Sequence, residues 1–406
     1  MKITIVCQYY WPDNFIINDI AEDLVKRGHS VKVLTGLPDY ATTEVPEEYK
    51  HGRNRHHFHN GVEIFRVPIR ARYKGFINRV VNYLSFFISS TVYAMMHYKE
   101  LDCDAVMSYQ LAPVLMANAA ITLSRKLRKK LFLYCLDIWP DQMKVWNVYE
   151  RNILFKITHS YCRYAYGKAD ILAVSSRPFT EYMVRVNRVN PEKIVYLPQH
   201  YDSIDEAPSH KNKDDERVNL IYAGNIGNQQ NTECLLRATA MMRTKRSFMI
   251  HIYGEGTSYS ECRELAEKLE LNDRVKFYGR VPKDELKRIY PLMDAFILTL
   301  CSEKQIGYTA YTVPSRLQGY MAAGKPIIAS IDGGAREIIT EAGCGIAVPA
   351  DDDEAFAGAL SDFVDHMEKY SECGENARRY FAANFERSII MDKIEACLKQ
   401  LAGVKE

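Results

Sequence analysis

The sequence contains no pair of cysteines at metal-binding spacing and no excess of charge of one sign. Its ten cysteines include no C-x-x-C pair, which argues against both a zinc finger and a dense disulfide framework. Free, buried thiols in a reducing cytoplasm are therefore expected. Lysine and arginine total 53, aspartate and glutamate 51, and the formal net charge is +2. This balance disfavours a globally basic nucleic-acid-binding protein and leaves a local basic patch open.

Glycine is missing where a dinucleotide-binding fold needs it. The loop after the first predicted strand, Gln8–Ile16, has no G-x-G-x-x-G and so offers no platform for a pyrophosphate. This argues against an NAD-linked dehydrogenase. No convergent set of carboxylates and histidines supports a nucleotide-sugar epimerase. His56, His57 and His59 lie in a polar, hairpin-like stretch that we interpret as a solvated loop, and we predict no metal site.

Long hydrophobic runs are also lacking. The apolar start of the chain gives way to polar residues too soon for a signal-peptide core, so it predicts a β-strand. The uncharged stretch Val80–Met96 contains Asn82 and several hydroxyl residues, which argues against a transmembrane helix. It is either a buried helix or part of a surface that touches an anionic membrane, and the two can coexist. The basic residues of that surface would be Arg70, Arg72, Lys74 and Arg79.

Short apolar strands alternate with amphipathic helices along the chain. Ile3–Cys7, a helical pattern that ends at Gly28, and Val31–Thr35 form a βαβ unit, which implies a parallel sheet. A polar, charged stretch near 201–217 is interpreted as a linker, after which the alternation restarts. We therefore expect a Rossmann-like domain in residues 1–200 and a second one in 201–385. A C-terminal helix in 386–406 would pack back on the first domain.

Three strand exits of the second domain are candidate ligand-binding loops, because ligands bind at the carboxyl ends of parallel strands. They are Ala223–Gly227, Tyr253–Gly256 and Phe277–Pro282. Glycines in the first loop let the backbone approach a phosphate at a helix N-terminus, although a plain strand-to-helix turn is the alternative. The third loop offers backbone groups to the edge of a base.

Arg316 is a candidate anion-binding residue. Pro314 and Ser315 suit the start of a helix, which places Arg316 in its first turn. A cation is unfavourable there unless an anion is bound, because the N-terminal end of a helix is positive. The alternative is a solvated surface arginine.

Asp137 is the candidate in the first domain. It ends a buried-looking strand in Leu133–Asp141, where its carboxylate would face a cleft. A turn or N-cap aspartate is the alternative interpretation.

These motifs together resemble the retaining glycosyltransferases of family 4, which have the GT-B fold of two facing Rossmann-like domains. The resemblance covers nearly the whole chain. Gln8–Pro12 and Lys26–Thr35 are similar to the group's opening βαβ unit, and Asp137–Pro140 is similar to the D-x-W-P segment of a subgroup that adds amino sugars. Ala223–Gly227 and Pro314–Pro326 complete the set.

The resemblance implies a glycosyltransferase of capsule or O-antigen biosynthesis that moves a sugar, an N-acetylated amino sugar in that subgroup, from a UDP-sugar. The acceptor would be a lipid-linked saccharide at the inner face of the membrane, reached by a cytoplasmic, peripheral enzyme that needs no metal. Asp137 and Arg316 would be catalytic, and Asp137 would orient the acceptor or stabilise the developing sugar cation. The donor-binding residues would be Gly224, Asn225, Gln230, Gly254, Glu255, Gly279, Arg280, Val281, Ser315, Arg316, Leu317 and Gln318.

The chain departs from the family pattern at the donor. Gly319 and Tyr311 stand where many members have the two glutamates of an E-x7-E motif, and Asn225 and Gln230 stand where many have a basic pair. Gln318 is the neighbour that could replace the ribose-binding glutamate. A non-catalytic scaffold that binds nucleotide sugars is therefore the alternative function. The sugar-facing loop is expected in Cys301–Val313, with its polar candidates Glu303, Lys304, Gln305, Tyr308 and Thr309.

Overall fold

The computed structural model describes residues 1–40, 43–73, 75–204 and 217–404. The chain forms two compact units, one of Met1–Pro198 with Ile390–Glu406 and one of Gln199–Ile389. The predicted membrane residue Lys74 and most of the predicted linker lie outside the described residues.

The first unit is a three-layer α/β domain. Its strands are β1 (Lys2–Val6), β2 (Ser30–Thr35), β3 (His56–His59), β4 (Val62–Arg66), β5 (Ala105–Gln110), β6 (Leu131–Cys135), β7 (Ile171–Val174) and β8 (Ile194–Tyr196). Its helices are α1 (Ile16–Lys26), α2 (Phe76–Met96), α3 (Asn118–Leu127), α4 (Ile153–Gly167) and α5 (Arg177–Arg185).

The first sheet has the order β3-β4-β2-β1-β5-β6-β7-β8. All of its neighbouring strands are parallel except β3 and β4. The predicted loop at His56–His59 is thus wrong: these residues form β3, an antiparallel edge strand, and only its hairpin character was foreseen. The central strands β1, β5 and β6 are buried at nearly every position because helices cover both faces of the sheet.

The second unit repeats this architecture. Its strands are β9 (Val218–Ala223), β10 (Phe248–Tyr253), β11 (Val275–Gly279), β12 (Ala295–Thr299), β13 (Ile327–Ser330) and β14 (Gly345–Val348). Its helices are α6 (Thr232–Met241), α7 (Tyr259–Lys268), α8 (Lys283–Ile289), α9 (Arg316–Ala323), α10 (Gly333–Ala342), α11 (Asp353–Asp365) and α12 (Cys373–Asn384). The sheet order is β11-β10-β9-β12-β13-β14, all parallel, so the winding reverses between β9 and β12.

The C-terminal helical region is broken rather than continuous. The apolar spacing from about Asn376 to Leu401 predicts one helix, but α12 ends at Asn384 and a separate helix, α13 (Arg387–Ala402), follows. Phe385 packs in the core of the second unit, whereas α13 buries Ile390, Ile394 and Leu398 in the core of the first. Arg27 at the end of α1 pairs with two carboxylates of α13, Asp392 at 2.6 Å and Glu395 at 2.8 Å.

None of the helices in the described ranges is long and apolar enough to cross a lipid bilayer. Nor do three or more histidine, cysteine, aspartate or glutamate side chains come together, in the part of the chain that the structure describes, so that they could hold a metal ion.

Candidate functional site

Three glycine-containing loops meet at the carboxyl ends of β9, β10 and β11. The Gly224 amide donates to the Tyr253 carbonyl at 2.9 Å, and the Gly254 amide donates to the Gly279 carbonyl at 2.8 Å. A Cβ atom at Gly254 would lie 1.8 Å from the Gly224 carbonyl oxygen, and its φ of +149° disfavours any side chain. The close approach therefore requires glycine, and it leaves a continuous edge of backbone without side chains.

Arg316 lies against this glycine edge. Its Nη1 is 3.0 Å from the place of a Cβ atom on Gly224. The guanidinium donates to the Tyr222 hydroxyl and to the Thr299 carbonyl, both at 2.6 Å, and it lies over the Tyr222 ring. Tyr222 and Thr299 belong to β9 and β12, the two strands at which the winding of the sheet reverses. Arg316 is thus held at the switch point, where open α/β sheets bind ligands.

The positive charge of Arg316 has no carboxylate partner among the described residues. Both of its hydrogen bonds go to neutral oxygens, and its Nε is buried with no partner in the described ranges. A charged group held in this way is preorganised to interact with an anion, since little reorganisation is needed when the anion arrives.

The first turn of α9 supports only part of the predicted donor set. Ser315 is exposed at the N-cap, and its side chain caps no backbone N–H of the helix. Leu317, by contrast, is buried in the apolar core, so its side chain does not contact a ligand. Gln318 is also buried, and its amide donates back to the carbonyls of Pro314 and Ser315 at 3.1 and 2.8 Å. In that orientation the Gln318 side chain is bonded to the first turn of its own helix, and its predicted ribose contact stays a prediction.

A small cavity opens beside the glycine edge. Its volume is about 230 Å³, below the roughly 300–1,000 Å³ of pockets that hold a whole drug-sized ligand. It therefore fits one portion of a larger ligand. Its lining comprises Gly224, Asn225, Tyr253, Gly254, Glu255, Arg280, Val281 and Leu286. Arg280 and Glu255 form an exposed ion pair at 3.7 Å, and the Tyr253 ring stacks on Tyr278 with centroids 4.4 Å apart.

The two positions that depart from the family's basic pair contact each other. The Asn225 amide donates to the Gln230 side-chain oxygen at 2.9 Å across Gly227. Neither residue brings a charge to the loop, so Arg316 is the cation that touches it.

Tyr201 occupies the space beside Gly319. A Cβ atom at Gly319 would meet the Tyr201 ring at 3.0 Å and its hydroxyl at 3.2 Å. At position 319, where many family members have a glutamate, the Tyr201 ring thus fills the space that a side chain would need.

The predicted sugar-facing loop is divided by the structure. Glu303, Lys304 and Gln305 line an open cavity of about 850 Å³, together with an acidic stretch of Asp351–Glu354. Tyr308 and Thr309 are buried instead, and the Tyr308 hydroxyl accepts from Gln229. These two residues therefore help to hold the loop rather than present polar groups to a ligand.

Asp137 follows β6 in the first unit, next to the loop that leaves β5. Burial raises its pKa to about 6, although hydrogen bonds from the Ala112 backbone and the Gln142 side chain act in the opposite direction. The carboxyl is thus able to change its protonation state near neutral pH.

Comparison with known proteins identifies the second unit. Residues 203–380 match the family model "Glycosyl transferases group 1". The second unit is thus similar to the glycosyl transferases of group 1. The chain is similar to the probable glycosyltransferase WbjE of Pseudomonas aeruginosa, with 25% identity over 65% of this chain and 67% of WbjE. It also resembles WcaI of Escherichia coli, a glycosyl transferase named for colanic acid biosynthesis, with 21% identity over 75% of this chain and 76% of WcaI.

The fold of the chain also matches solved structures. One is HepE of Anabaena in complex with UDP and glucose, with a TM-score of 0.72, 15% identity, and coverage of 99% of this chain and 100% of HepE. The chain has the GT-B fold, which confirms the predicted fold class.

Sequence reasoning missed a buried polar cluster in the first unit of the GT-B fold, at the carboxyl ends of β1 and β2. Asp39 accepts from the Arg72 backbone and from the Asn82 amide, both at 2.8 Å, and the Asn82 oxygen accepts from Gln8 at 2.8 Å. One oxygen of Asp39 and the side-chain oxygen of Gln8 have no partner in the described ranges. Burial raises the pKa of Asp39 to about 6. Asn82, within the uncharged stretch Val80–Met96, was the available signal.

The predicted basic residues of the membrane surface differ in their placement. Arg70 is exposed, and Arg79 lies half-buried in the first turn of α2. Arg72 is turned inward, because its guanidinium lies 4.6 Å from the centre of the Tyr40 ring. Arg72 is therefore better placed to support the polar cluster than to contact a membrane.

Proposed function

We propose that the chain is a retaining glycosyltransferase that moves a sugar from UDP to a lipid-linked saccharide in the synthesis of a capsule or O-antigen. In this proposal the sugar is an N-acetylated amino sugar, and the reaction takes place at the inner face of the cell membrane. The observation that carries the proposal is the contact between Arg316 and Gly224 at the switch point of the second sheet.

The chemistry of sugar transfer needs such a group. When the glycosidic bond to the nucleotide breaks, negative charge grows on the β-phosphate that leaves. Arg316 and the uncapped N-terminus of α9 then stabilise that charge, and because Tyr222 and Thr299 hold the guanidinium, the stabilisation is preorganised. One donor of this kind is worth about 10²–10³ in turnover.

The glycine edge and its cavity suit the rest of the donor. Gly224 and Gly254 let a diphosphate approach the backbone, and the neighbouring cavity accepts one ring. The Arg280 backbone would bind the base, because a base edge needs donors and acceptors rather than a particular side chain. The complex of the structurally similar HepE with UDP supports a uridine nucleotide.

The first unit would bind the acceptor. In a front-face transfer with retention, the acceptor hydroxyl loses its proton to the departing phosphate, so no protein nucleophile is required. Asp137 would then orient the acceptor or stabilise the developing positive charge of the sugar. Since Arg316 already supplies positive charge at the diphosphate, we expect no metal requirement.

Calorimetric titration with a panel of nucleotides and nucleotide sugars, with and without EDTA, tests this proposal. We expect UDP and one UDP-sugar to bind, without any effect of EDTA, and Arg316→Ala to weaken the binding of UDP. Preference for another nucleotide, or loss of UDP binding in EDTA, would contradict the proposed donor chemistry.

The specific observations at Asn225, Gln230 and Gly319 favour one alternative, a scaffold that binds nucleotide sugars without turnover. The first two residues bond each other, and Tyr201 packs against the third. Binding of a UDP-sugar with no UDP release in the presence of membrane lipid extracts would favour the scaffold.

A further inference from the structure

Helix α2 carries aliphatic side chains on the face that points away from the core. The exposed fraction is 75% for Ile77, 43% for Leu84 and 58% for Ile88. The opposite face is buried in the domain through residues such as Phe86 and Ala94. A surface helix normally shows polar residues on its outer face, so this stripe is unusual. Its members recur every three or four residues: Ile77, Val81, Leu84, Ile88, Val92 and Met95.

A second helix extends this surface. In α4, Ile153 is 71% exposed and Ile157 is 60% exposed. The two helices are neighbours, because the Phe87 ring of α2 contacts the Tyr161 ring of α4 with centroids 6.5 Å apart. Asn118 links them further through hydrogen bonds to Thr91 and Tyr161, both 2.9 Å. We call the combined surface the α2–α4 ridge, which consists of the six α2 residues above with Ile153, Leu154 and Ile157.

The hydroxyl groups of α2 do not depend on water. Ser85, Ser89 and Ser90 each donate to a carbonyl three or four residues earlier, at 2.6 to 2.7 Å. Hydroxyls bonded to their own helix in this way are tolerated next to lipid, where unsatisfied polar groups are costly. The helix therefore presents a surface that loses little when water is removed.

The charges within the two helices of the ridge have one sign, and the exposed carboxylates near their ends, Glu100 and Glu150, are bonded to His97 and Lys144. Neither α2 nor α4 contains an aspartate or glutamate, whereas Arg79, Lys156 and Arg163 lie within them. Exposed Arg70 and Arg151 lie just before the two helices. This pattern is complementary to anionic lipid headgroups. A second copy of the chain, docked ridge to ridge, would bring these positive charges together.

We infer that the α2–α4 ridge inserts into the headgroup region of an anionic lipid bilayer, with its helices lying along the surface. The inference rests on the membrane location in the proposed function and assigns it to named side chains, including a helix that sequence reasoning did not connect with membranes. The aliphatic side chains supply buried apolar area, and the flanking arginines and lysines supply electrostatic attraction.

Vesicle flotation of the full chain tests the inference. The vesicles contain either phosphatidylcholine alone or phosphatidylcholine with phosphatidylglycerol, at low salt. The variant is Leu84→Gln with Ile88→Gln, which keeps good helix formers at exposed positions. The matched control is Leu292→Gln in the second unit, because Leu292 is 42% exposed and Leu84 is 43% exposed.

We expect wild type and Leu292→Gln to bind the anionic vesicles alike. The double variant should bind these vesicles about 100-fold more weakly, because each half-exposed aliphatic side chain that no longer enters the lipid weakens binding by about tenfold. Equal binding by the double variant, or no binding of wild type to anionic vesicles at low salt, would overturn the inference. So would light scattering that shows a dimer which only the double variant loses, since the ridge would then bind a second copy.

The failure of this inference is distinguishable from failure of the proposed function. UDP binding depends on the second unit, so the double variant should bind UDP as wild type does. A chain that binds vesicles but no nucleotide would leave the ridge in place and remove the transferase. A chain that binds UDP but does not bind vesicles would overturn the membrane inference and leave the proposed nucleotide site in place.

Discussion

Replacing Arg316 by alanine removes the cation that lies against Gly224 in the glycine edge. In the structure the guanidinium is held by the Tyr222 hydroxyl and the Thr299 carbonyl at 2.6 Å each. If this group stabilises the charge on the departing diphosphate, its loss lowers kcat by about 10²–10³, or roughly 3–4 kcal/mol of transition-state stabilisation.

The same substitution also has a structural effect that must be separated. It leaves the Thr299 carbonyl without one partner, which costs about 1–3 kcal/mol of folding stability. Tyr222→Phe is the control, because it removes the hydroxyl, which also donates to the Asn225 carbonyl at 2.7 Å, but leaves the guanidinium bonded to Thr299. We expect its kcat to fall by less than that of Arg316→Ala, since the guanidinium charge stays in place on the Thr299 carbonyl. Arg316→Lys keeps the charge without the planar fork and should fall between the two.

The assay is UDP release at saturating UDP-sugar, measured beside thermal unfolding for each variant. The reasoning predicts a large loss of kcat in Arg316→Ala at a temperature where the variant remains folded. It is refuted if Arg316→Ala keeps kcat within about threefold of wild type. It is refuted equally if Tyr222→Phe loses as much activity as Arg316→Ala, because the defect would then be structural.

Three further outcomes follow from the geometry. Gly254→Ala should weaken UDP binding more than tenfold in calorimetry, because its Cβ would lie 1.8 Å from the Gly224 carbonyl oxygen. The control Gly227→Ala should weaken UDP binding far less, because its Cβ meets only side-chain atoms at 3.0 Å or more. Equal effects of the two substitutions would count against the glycine edge as the UDP-binding site. Burial raises the pKa of Asp39 to about 6 from 3.8, so the native state binds more protons than the unfolded state between these values and stability falls as the pH rises through them. Asp39→Asn should therefore raise the free energy of unfolding at pH 7, by up to about 3 kcal/mol, and leave it unchanged at pH 4. Urea titrations that show the same difference between variant and wild type at both pH values would contradict this prediction. Hydrogen bonds from Lys399, Arg27 and His29 lower the pKa of Glu395 to about 2, so its contribution is complete above about pH 4.5 and is lost as the pH falls towards 2. Glu395→Gln should lower stability at pH 7, with the deficit shrinking in acid, and a deficit independent of pH would exclude the ion network that ties α13 to the first unit.

The fold was predictable because its signals are local. Parallel strands covered on both faces are short apolar runs, and the helices between them repeat at 3.6 residues, so the alternation is visible without tertiary information. The edge strand β3 was not predicted, because its four residues include three histidines and so form no apolar run. The break between α12 and α13 was not predicted, because Phe385 and Ile390 are both apolar residues at helical spacing. Only the structure shows that they belong to the cores of different units.

The site was predictable where one residue conflicts with its local setting. Arg316 at a helix start is such a conflict, and the structure places it against Gly224. Leu317 and Gln318 adjoin it in sequence, but a helix turns successive side chains by about 100°, so they point into the core. Asn82 signals a polar position in its helix, but its contacts in the cluster around Asp39 could not be predicted, because they join residues 43 positions apart and more.

A transfer assay with anomeric analysis of the product tests the central claim most directly. Each labelled UDP-sugar is incubated with the chain and a membrane lipid extract, and the linkage formed is determined by NMR. We predict that one UDP-sugar is consumed, that its sugar enters the lipid fraction with the anomeric configuration retained, and that Arg316→Ala fails to do this. Release of no UDP from any donor, or a product of inverted configuration, would contradict the account.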